Sequence, residues 1–393
     1  MLKHTFLIFF AFFCLTSSLH AAEPSPVYIG FDGEYGLKNS TSAQSIEKGA
    51  SIAIDEINAA GGVLGGRPLK LLTRDNRSVP ARGIENLKQF AKQRDLVAVI
   101  GGRFSPVILS QLPIAHELKV ILMDAWGSAD GITEHNFTPS YTFRVSLRDR
   151  YAMPTMMGHA RSKGADKIAI LVPNTGWGRS NAKAAERYLT ETGAKTEIKI
   201  IWYNWGDKDF GPSYQSFLDW GADALIMVAN DIEGSQVVRH VASLSEAQRM
   251  PVISHWGVTG GRFVEKSEGA LAKLDFSVVQ TFSLFKVSAK KRDHVMGLMR
   301  EKYGIKRIED VESPVGFGHA YDIVHFLALA IDAAGTTDRE QVRDALERTK
   351  THQGLVKSYS YPFGPSVHDA LELEDVFMAT FDQQGAIRPL DGP

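Results

Sequence analysis

Residues 27–75 read VYIGFDGEYGLKNSTSAQSIEKGASIAIDEINAAGGVLGGRPLKLLTRD. Two apolar runs, Val27–Phe31 and Pro68–Thr73, enclose a segment of a different period. Between Ser45 and Ala60 the apolar residues return at Ile46, Ala50, Ala53, Ile54 and Ile57, the spacing of one helical face. GGVLGG (61–66) stops that helix, because glycine loses the most backbone freedom when held helical. The stretch therefore reads strand, helix, strand. A strand that is apolar along its whole length is buried on both faces, which is the signature of a parallel sheet covered by helices.

The same unit recurs. Ile84, Leu87 and Ala91 mark a second helix, and LVAVIGG (96–102) is a buried strand ending in glycines. Strand-like runs follow at Val120–Met123, Lys167–Val172, Glu197–Tyr203, Ala224–Ala229, Pro251–Ser254 and Phe276–Thr281, most of them separated by helical stretches. Residues 353–393 carry mixed strand signals, with turns at Pro362, Gly364 and Pro365. The fold class is α/β, and ligands of such sheets bind beyond the carboxyl ends of the strands.

The chain opens MLKHTFLIFFAFFCLTSSLHAAEP: one lysine, an apolar run from Phe6 to Leu15, then small residues. This is the build of a secretory signal, with cleavage expected after Ala21 or Ala22 and export to the periplasm. The run is too short to span a bilayer with ease. Cys14 lies inside it and follows Phe13, where a lipoprotein signal needs a small residue. Cleavage would leave no cysteine, which excludes thiol catalysis and zinc–thiolate sites from the exported chain. A length of 393 residues suggests two domains. A formal net charge of −1 offers no electrostatic footprint for nucleic acid. No second long apolar run is apparent, so the exported chain is expected not to cross a membrane.

Catalytic and cofactor motifs are not found. GGVLGGRP (61–68) lacks the Lys-Ser/Thr pair of a phosphate loop and follows a helix where such a loop follows a strand. There is no G-x-S-x-G nucleophile elbow. The histidines at 116, 159, 240, 255, 319, 325 and 352 show no metal-ligand spacing with a nearby carboxylate. His319, three residues before Asp322, reads as a partly buried polar residue of a helix. No cofactor, metal or catalytic residue is expected.

Tryptophan stands out instead. Five of the six precede a glycine, and the pairs at Trp126, Trp177 and Trp256 come just after apolar strands. Glycine lets a backbone turn sharply and approach a ligand closely. Three indoles at the functional end of the sheets read as the wall of a site more readily than as three separate edge caps. Hydroxyls supply the polar counterpart. In Arg103-Phe104-Ser105-Pro106, Ser105 suits a helix N-cap and Pro106 the first helical position, and Ser128 follows Trp126 by two.

At these residues the sequence resembles the type I periplasmic solute-binding proteins, and within them the branched-chain amino-acid receptors of ABC importers. YIGFDGEYG (28–36), GASIAIDEINAAGGVLGGRPLKLLTRD (49–75), LVAVIGG, ADGIT (129–133), FRVS (143–146) and GDKDF (206–210) stand in that family's order. The resemblance implies two lobes joined by three crossing strands. Lobe 1 would hold residues 22–146 and 282–352, and lobe 2 residues 147–281 and 353–393. It implies a small solute bound between the lobes, no covalent chemistry, and an ABC permease and ATPase as partners. A membrane sensor is the alternative partner, and an exported hydrolase is a third reading that would need a nucleophile or metal.

In amino-acid-binding relatives a serine after the third strand and a Ser or Thr after the fourth hold the ligand carboxylate; Ser105 and Ser128 stand there. Trp126 takes a place whose backbone carbonyl often meets the ligand ammonium, and Trp177 takes that of an aromatic cover. Two positions depart from the pattern: Asn230 replaces a frequent tyrosine, and Trp256 replaces the acid that pairs with the ammonium. A buried ammonium needs a compensating charge. The expected ligand is therefore not an ordinary α-amino acid but an aromatic or short aliphatic carboxylate, with a quaternary ammonium also fitting the indoles. Phe104, Tyr35 and Asp149 complete the candidate set, with Asp32, Glu34 or Asp149 as the acids available should a cation bind.

Overall fold

The computed structural model describes residues 24–37 and 40–390; the signal sequence read at 1–21 lies outside the described residues. Five parallel strands form the first sheet: β1 (Val27–Gly33), β2 (Leu69–Asp75), β3 (Leu96–Gly101), β4 (Ile121–Asp124) and β5 (Thr142–Arg144), in the order β2-β1-β3-β4-β5. Helices α1 (Thr41–Ala59), α2 (Pro80–Ala91) and α3 (Ser105–Glu117) connect them. β3 is buried along its whole length. Its side chains are shared between one core that includes Ile46, Ala50 and Ala53 of α1 and another that includes Leu87 and Phe90 of α2 with Ile108 and Leu112 of α3. Burial on both faces explains why LVAVIG alternates no polar residue with its apolar ones; each such side chain contributes roughly 1.5–3 kcal/mol.

The second sheet takes β6 (Lys167–Pro173), β7 (Glu197–Tyr203), β8 (Ala224–Met227), β9 (Val252–Ser254) and β10 (Phe276–Gln280), all parallel, between α4 (Asp149–Ser162), α5 (Gly176–Thr192), α6 (Gly211–Trp220), α7 (Asp231–Ser243) and the short α8 (Phe263–Lys266). The chain then returns to the first sheet's helices through α9 (Ala289–Tyr303), α10 (Pro314–Ala334) and α11 (Arg339–Glu347). A hairpin, β11 (Thr351–Gln353) with β12 (Ser358–Ser360), packs on α10: the Tyr359 hydroxyl donates to Asp322 Oδ2 at 2.7 Å, and its ring lies 4.9 Å from that of Phe326. Finally β13 (Phe377–Phe381) pairs antiparallel with β10, and β14 (Ile387–Pro389) pairs with β13. The two lobes are thus bridged by passages after β5, after β10 and after β12. The first and third run side by side, with Arg144 N donating to His368 O and Ala370 N to Arg144 O.

α10 is long and apolar enough by composition to cross a membrane, although no second such run was read. It is a core helix: 83% of its most apolar window is buried, and α1 packs along it.

Candidate functional site

The carboxyl ends of the two sheets face each other, and the loops that leave them build the cleft. From the first lobe, β3 runs into Arg103 and Phe104, and α3 begins at Ser105 with Pro106 in its first turn. Ser105 does not cap the helix as its position suggested, since Phe104 occupies the N-cap position. The Ser105 hydroxyl oxygen instead accepts the main-chain N–H groups of Ser128 (3.1 Å) and Ala129 (3.2 Å). It ties the β4 loop to α3 and keeps its own hydrogen free to donate. Trp126 is anchored by Asp124, whose Oδ1 accepts its N–H at 3.0 Å.

From the second lobe, Trp177 sits in the first turn of α5, which Thr175 caps by accepting the Gly178 N–H at 3.3 Å. Trp256 opens a 3-10 turn after β9, and Asn230 holds the N-cap position of α7. The indoles of Trp126 and Trp256 meet across the cleft at 5.6 Å, and both are about 1% exposed. The glycines beside these tryptophans allow close packing of the wall, and Gly257 itself lines the space between the indoles. A Cβ at Gly257 would stand 2.7 Å from Trp177 Cη2 and 2.5 Å from the Ala229 carbonyl. Gly127 is closed off in the same way by Ile108 and Ile132.

Phe104, Ser105, Trp126, Ser128, Trp177, Asn230 and Trp256 come together around one cavity of about 10 Å³, room for about one water. The lobes are closed and the cleft is filled by its own indoles. Arg103 and Trp205 join this wall and were missed. Trp205 packs edge-to-face on Phe104 at 5.4 Å. Its position beyond β7 was the available signal, but β7 is half exposed and did not read as an apolar strand. Arg103 precedes the Phe104-Ser105-Pro106 stretch, and no local pattern marks it as a wall residue.

Two candidates lie outside the wall. Tyr35 packs edge-on against Phe31 at 5.6 Å, at the end of β1. Asp149, the first residue of α4, is fully buried and lies 3.1 Å from His255 Nε2. His255 in turn meets Trp177 edge-to-face at 5.0 Å, so Asp149 props the indole floor from behind. His319 is not partly but fully buried. It contacts the Ala125 carbonyl (2.9 Å) and the Thr281 hydroxyl (3.0 Å), and its ring stands 5.7 Å from Trp256. Burial pushes it down to about 4, so at neutral pH it is an uncharged ring whose Nδ1–H donates to that carbonyl.

The two acids of the first loop are also committed. Glu34 accepts the hydroxyls of Ser40 and Ser42 on one oxygen and the Arg103 main-chain N–H on the other. Asp32 accepts Asn86 Nδ2 (2.7 Å) and Gln111 Nε2 (2.8 Å). Burial raises Asp32 from 3.8 to about 7. A carboxyl raised on folding favours the folded state below the folded pKa, and that contribution is lost as pH climbs from about 4 to about 7. An Asp32→Asn chain is therefore expected to gain stability relative to the parent between pH 4 and pH 8, on the order of a few kcal/mol. Paired urea denaturations across that range measure it, and a constant difference would show that Asp32 does not titrate there.

Two helix-flanked sheets, closed over an aromatic and hydroxyl-lined cleft at their carboxyl ends, define a two-lobed receptor for a small molecule. The chain belongs to the periplasmic binding protein family, whose model matches residues 27–370, and its fold is that of the type I members. The family is one of solute-binding receptors. The Leu/Ile/Val-binding protein homolog 1 of Brucella abortus is 25% identical over 328 residues, covering 82% of each chain. A type 1 periplasmic binding protein from Bordetella pertussis Tohama I superposes with a TM-score of 0.81 at 18% identity, over 93% of this chain and 99% of that one. An ABC-transporter solute-binding protein of R. palustris, in complex with 4-hydroxybenzoate, gives 0.76 at 18%, over 93% and 95%. Structural likeness at such identities shows a shared fold and does not assign a ligand.

Proposed function

We propose that this chain is exported to the periplasm, binds a small carboxylic acid between its lobes and delivers it to an ABC permease and ATPase. The first lobe is residues 22–146 with 282 to the end of β12, and the second is residues 147–281 with the chain beyond β12, the β11–β12 hairpin riding on α10. One observation carries the ligand class. The cleft wall is built of Trp126, Trp177, Trp205, Trp256, Phe104, two serines, an asparagine and an arginine, with no carboxylate among the described residues that line it. An α-amino acid would bury an ammonium with no opposite charge beside it, which costs several kcal/mol. A flat or short apolar acid suits the indoles, with Ser105 and Ser128 donating to its carboxylate. The 4-hydroxybenzoate held by the R. palustris protein makes that compound the first probe.

The test is a thermal-shift screen of the purified chain, refolded to remove carried-over solute, against aromatic and aliphatic acids, α-amino acids and quaternary amines. Binding raises the melting temperature by mass action. Acids are expected to shift it and α-amino acids not. A shift with leucine or another α-amino acid alone would overturn the ligand class.

A further inference from the structure

Around the cleft, buried donors outnumber their acceptors. Arg103 leaves β3 directly, is 7% exposed, and carries its guanidinium 4.6 Å over the Phe104 ring. One nitrogen, Nη2, reaches across the cleft to Asp231 Oδ1 of α7 at 3.2 Å. Asp231 is shared, because Lys266 also pairs with it. Arg103 Nε and Nη1 are buried and have no acceptor among the described residues, and the indole nitrogens of Trp126, Trp177 and Trp205 are in the same condition. All four residues line the one cavity. Glu34 does not relieve them, since its oxygens are taken by two serine hydroxyls and by the Arg103 main chain.

A buried donor left unmet costs about 1–3 kcal/mol, and a charged one more. A wall of unmet N–H groups is complementary to a group that only accepts. A carboxylate offers two oxygens with about four acceptor positions, and a bond from a charged guanidinium to it is stronger than a neutral one. Resting on the receptor reading above, we propose that Arg103 is the counter-ion of the ligand carboxylate, donating to it through one of its unmet N–H groups beside the Ser105 and Ser128 hydroxyls, with an indole N–H on the remaining lone pair. The ligand class is thereby a carboxylic acid with no ammonium group. Because Nη2 of the same guanidinium holds the opposite lobe, the anion and the closed state reinforce each other. Second-lobe Gly260 permits this approach: a Cβ there would fall 2.3 Å from Arg103 Nη1.

The experiment titrates the full chain with matched pairs, 4-hydroxybenzoate and 4-hydroxybenzamide, benzoate and benzamide, isobutyrate and isobutyramide, leucine and leucinamide. It compares the parent with Arg103→Gln and Arg103→Met. In both variants Asp231 keeps Lys266, and the methionine keeps an apolar stem over Phe104 should the glutamine chain fold poorly. The parent is expected to bind at least one non-amino acid tenfold or more tighter than its amide. The variants should lose that preference: both compounds weaken as the Arg103–Asp231 tie between the lobes is lost, but the acid weakens at least tenfold more than its amide. A parent that prefers acids together with variants that keep the preference overturns the role of Arg103 and leaves the receptor reading standing. A parent that binds no acid, or binds amides equally well, overturns the carboxylate class itself.

Discussion

Replacing Trp256 by alanine is expected to remove about 3–5 kcal/mol of stability and at least tenfold of affinity together. The first loss follows from packing. Trp256 is about 1% exposed and sits between Trp126 at 5.6 Å and His319 at 5.7 Å, with His255 edge-on at 6.3 Å. Removing the ring opens a void whose floor, His319, is hydrogen-bonded to Ala125 and Thr281 and so is poorly placed to collapse into it. The second loss follows from position. The same indole faces the cavity from the second lobe, and a buried aromatic contact to a ligand is worth about 1–3 kcal/mol. Urea denaturation measures the first, and titration with the best-binding acid, well below the melting temperature, measures the second. Full affinity in a destabilised variant would mean that Trp256 only spaces the lobes and that the ligand lies against Trp126 and Trp177 alone.

That two-sided expectation shows what the sequence makes legible. The alternation of strand and helix is written in local periodicities, so β1, α1, β2 and β3 lie within a few residues of where the apolar spacing puts them. The post-strand tryptophans are legible for the same reason: in a parallel sheet, the residue after a buried strand stands at the open end. Pairings across long stretches of chain are not. Arg103 meets Asp231, 128 residues away, and His255 meets Asp149, 106 residues away. No local pattern announces either bond. From the sequence Asp149 is therefore a ligand-site candidate and Arg103 has no assigned role, whereas in the structure the first braces the indole floor and the second faces the cleft. Ser105 misled differently. Its Ser-Pro context fits an N-cap, yet the β4 loop supplies two N–H groups that take the hydroxyl oxygen instead.

Arg144→Met should be as damaging as the tryptophan change, but with a pH signature. Arg144 ends β5 where the chain first leaves the first lobe, and it is wholly buried. Its guanidinium donates to the carbonyls of Leu147 (3.0 Å) and Ala129 (2.9 Å) and to Thr133 Oγ1 (2.9 Å). It is paired with Asp369 of the third passage at 2.9 Å and stands 3.8 Å from Asp124. Removing one partner of a buried pair typically costs about 3–5 kcal/mol, because the other charge is left without compensation. Asp369 retains Arg148 at 3.0 Å, so the exposed weakness is Asp124, the carboxylate that positions the Trp126 main chain. Burial already raises Asp124 to about 7 against the pull of Arg144. Without that arginine it rises further. A carboxyl whose folded pKa exceeds its unfolded value loses stabilising effect as pH rises. The deficit of the variant should therefore be smallest near pH 5, where Asp124 is protonated in both chains, and widest near pH 8. Adding Asp124→Asn should remove the pH dependence of the deficit while leaving the part due to the lost carbonyl bonds. A deficit equal at both pH values would place the whole cost in those hydrogen bonds and none in the charge.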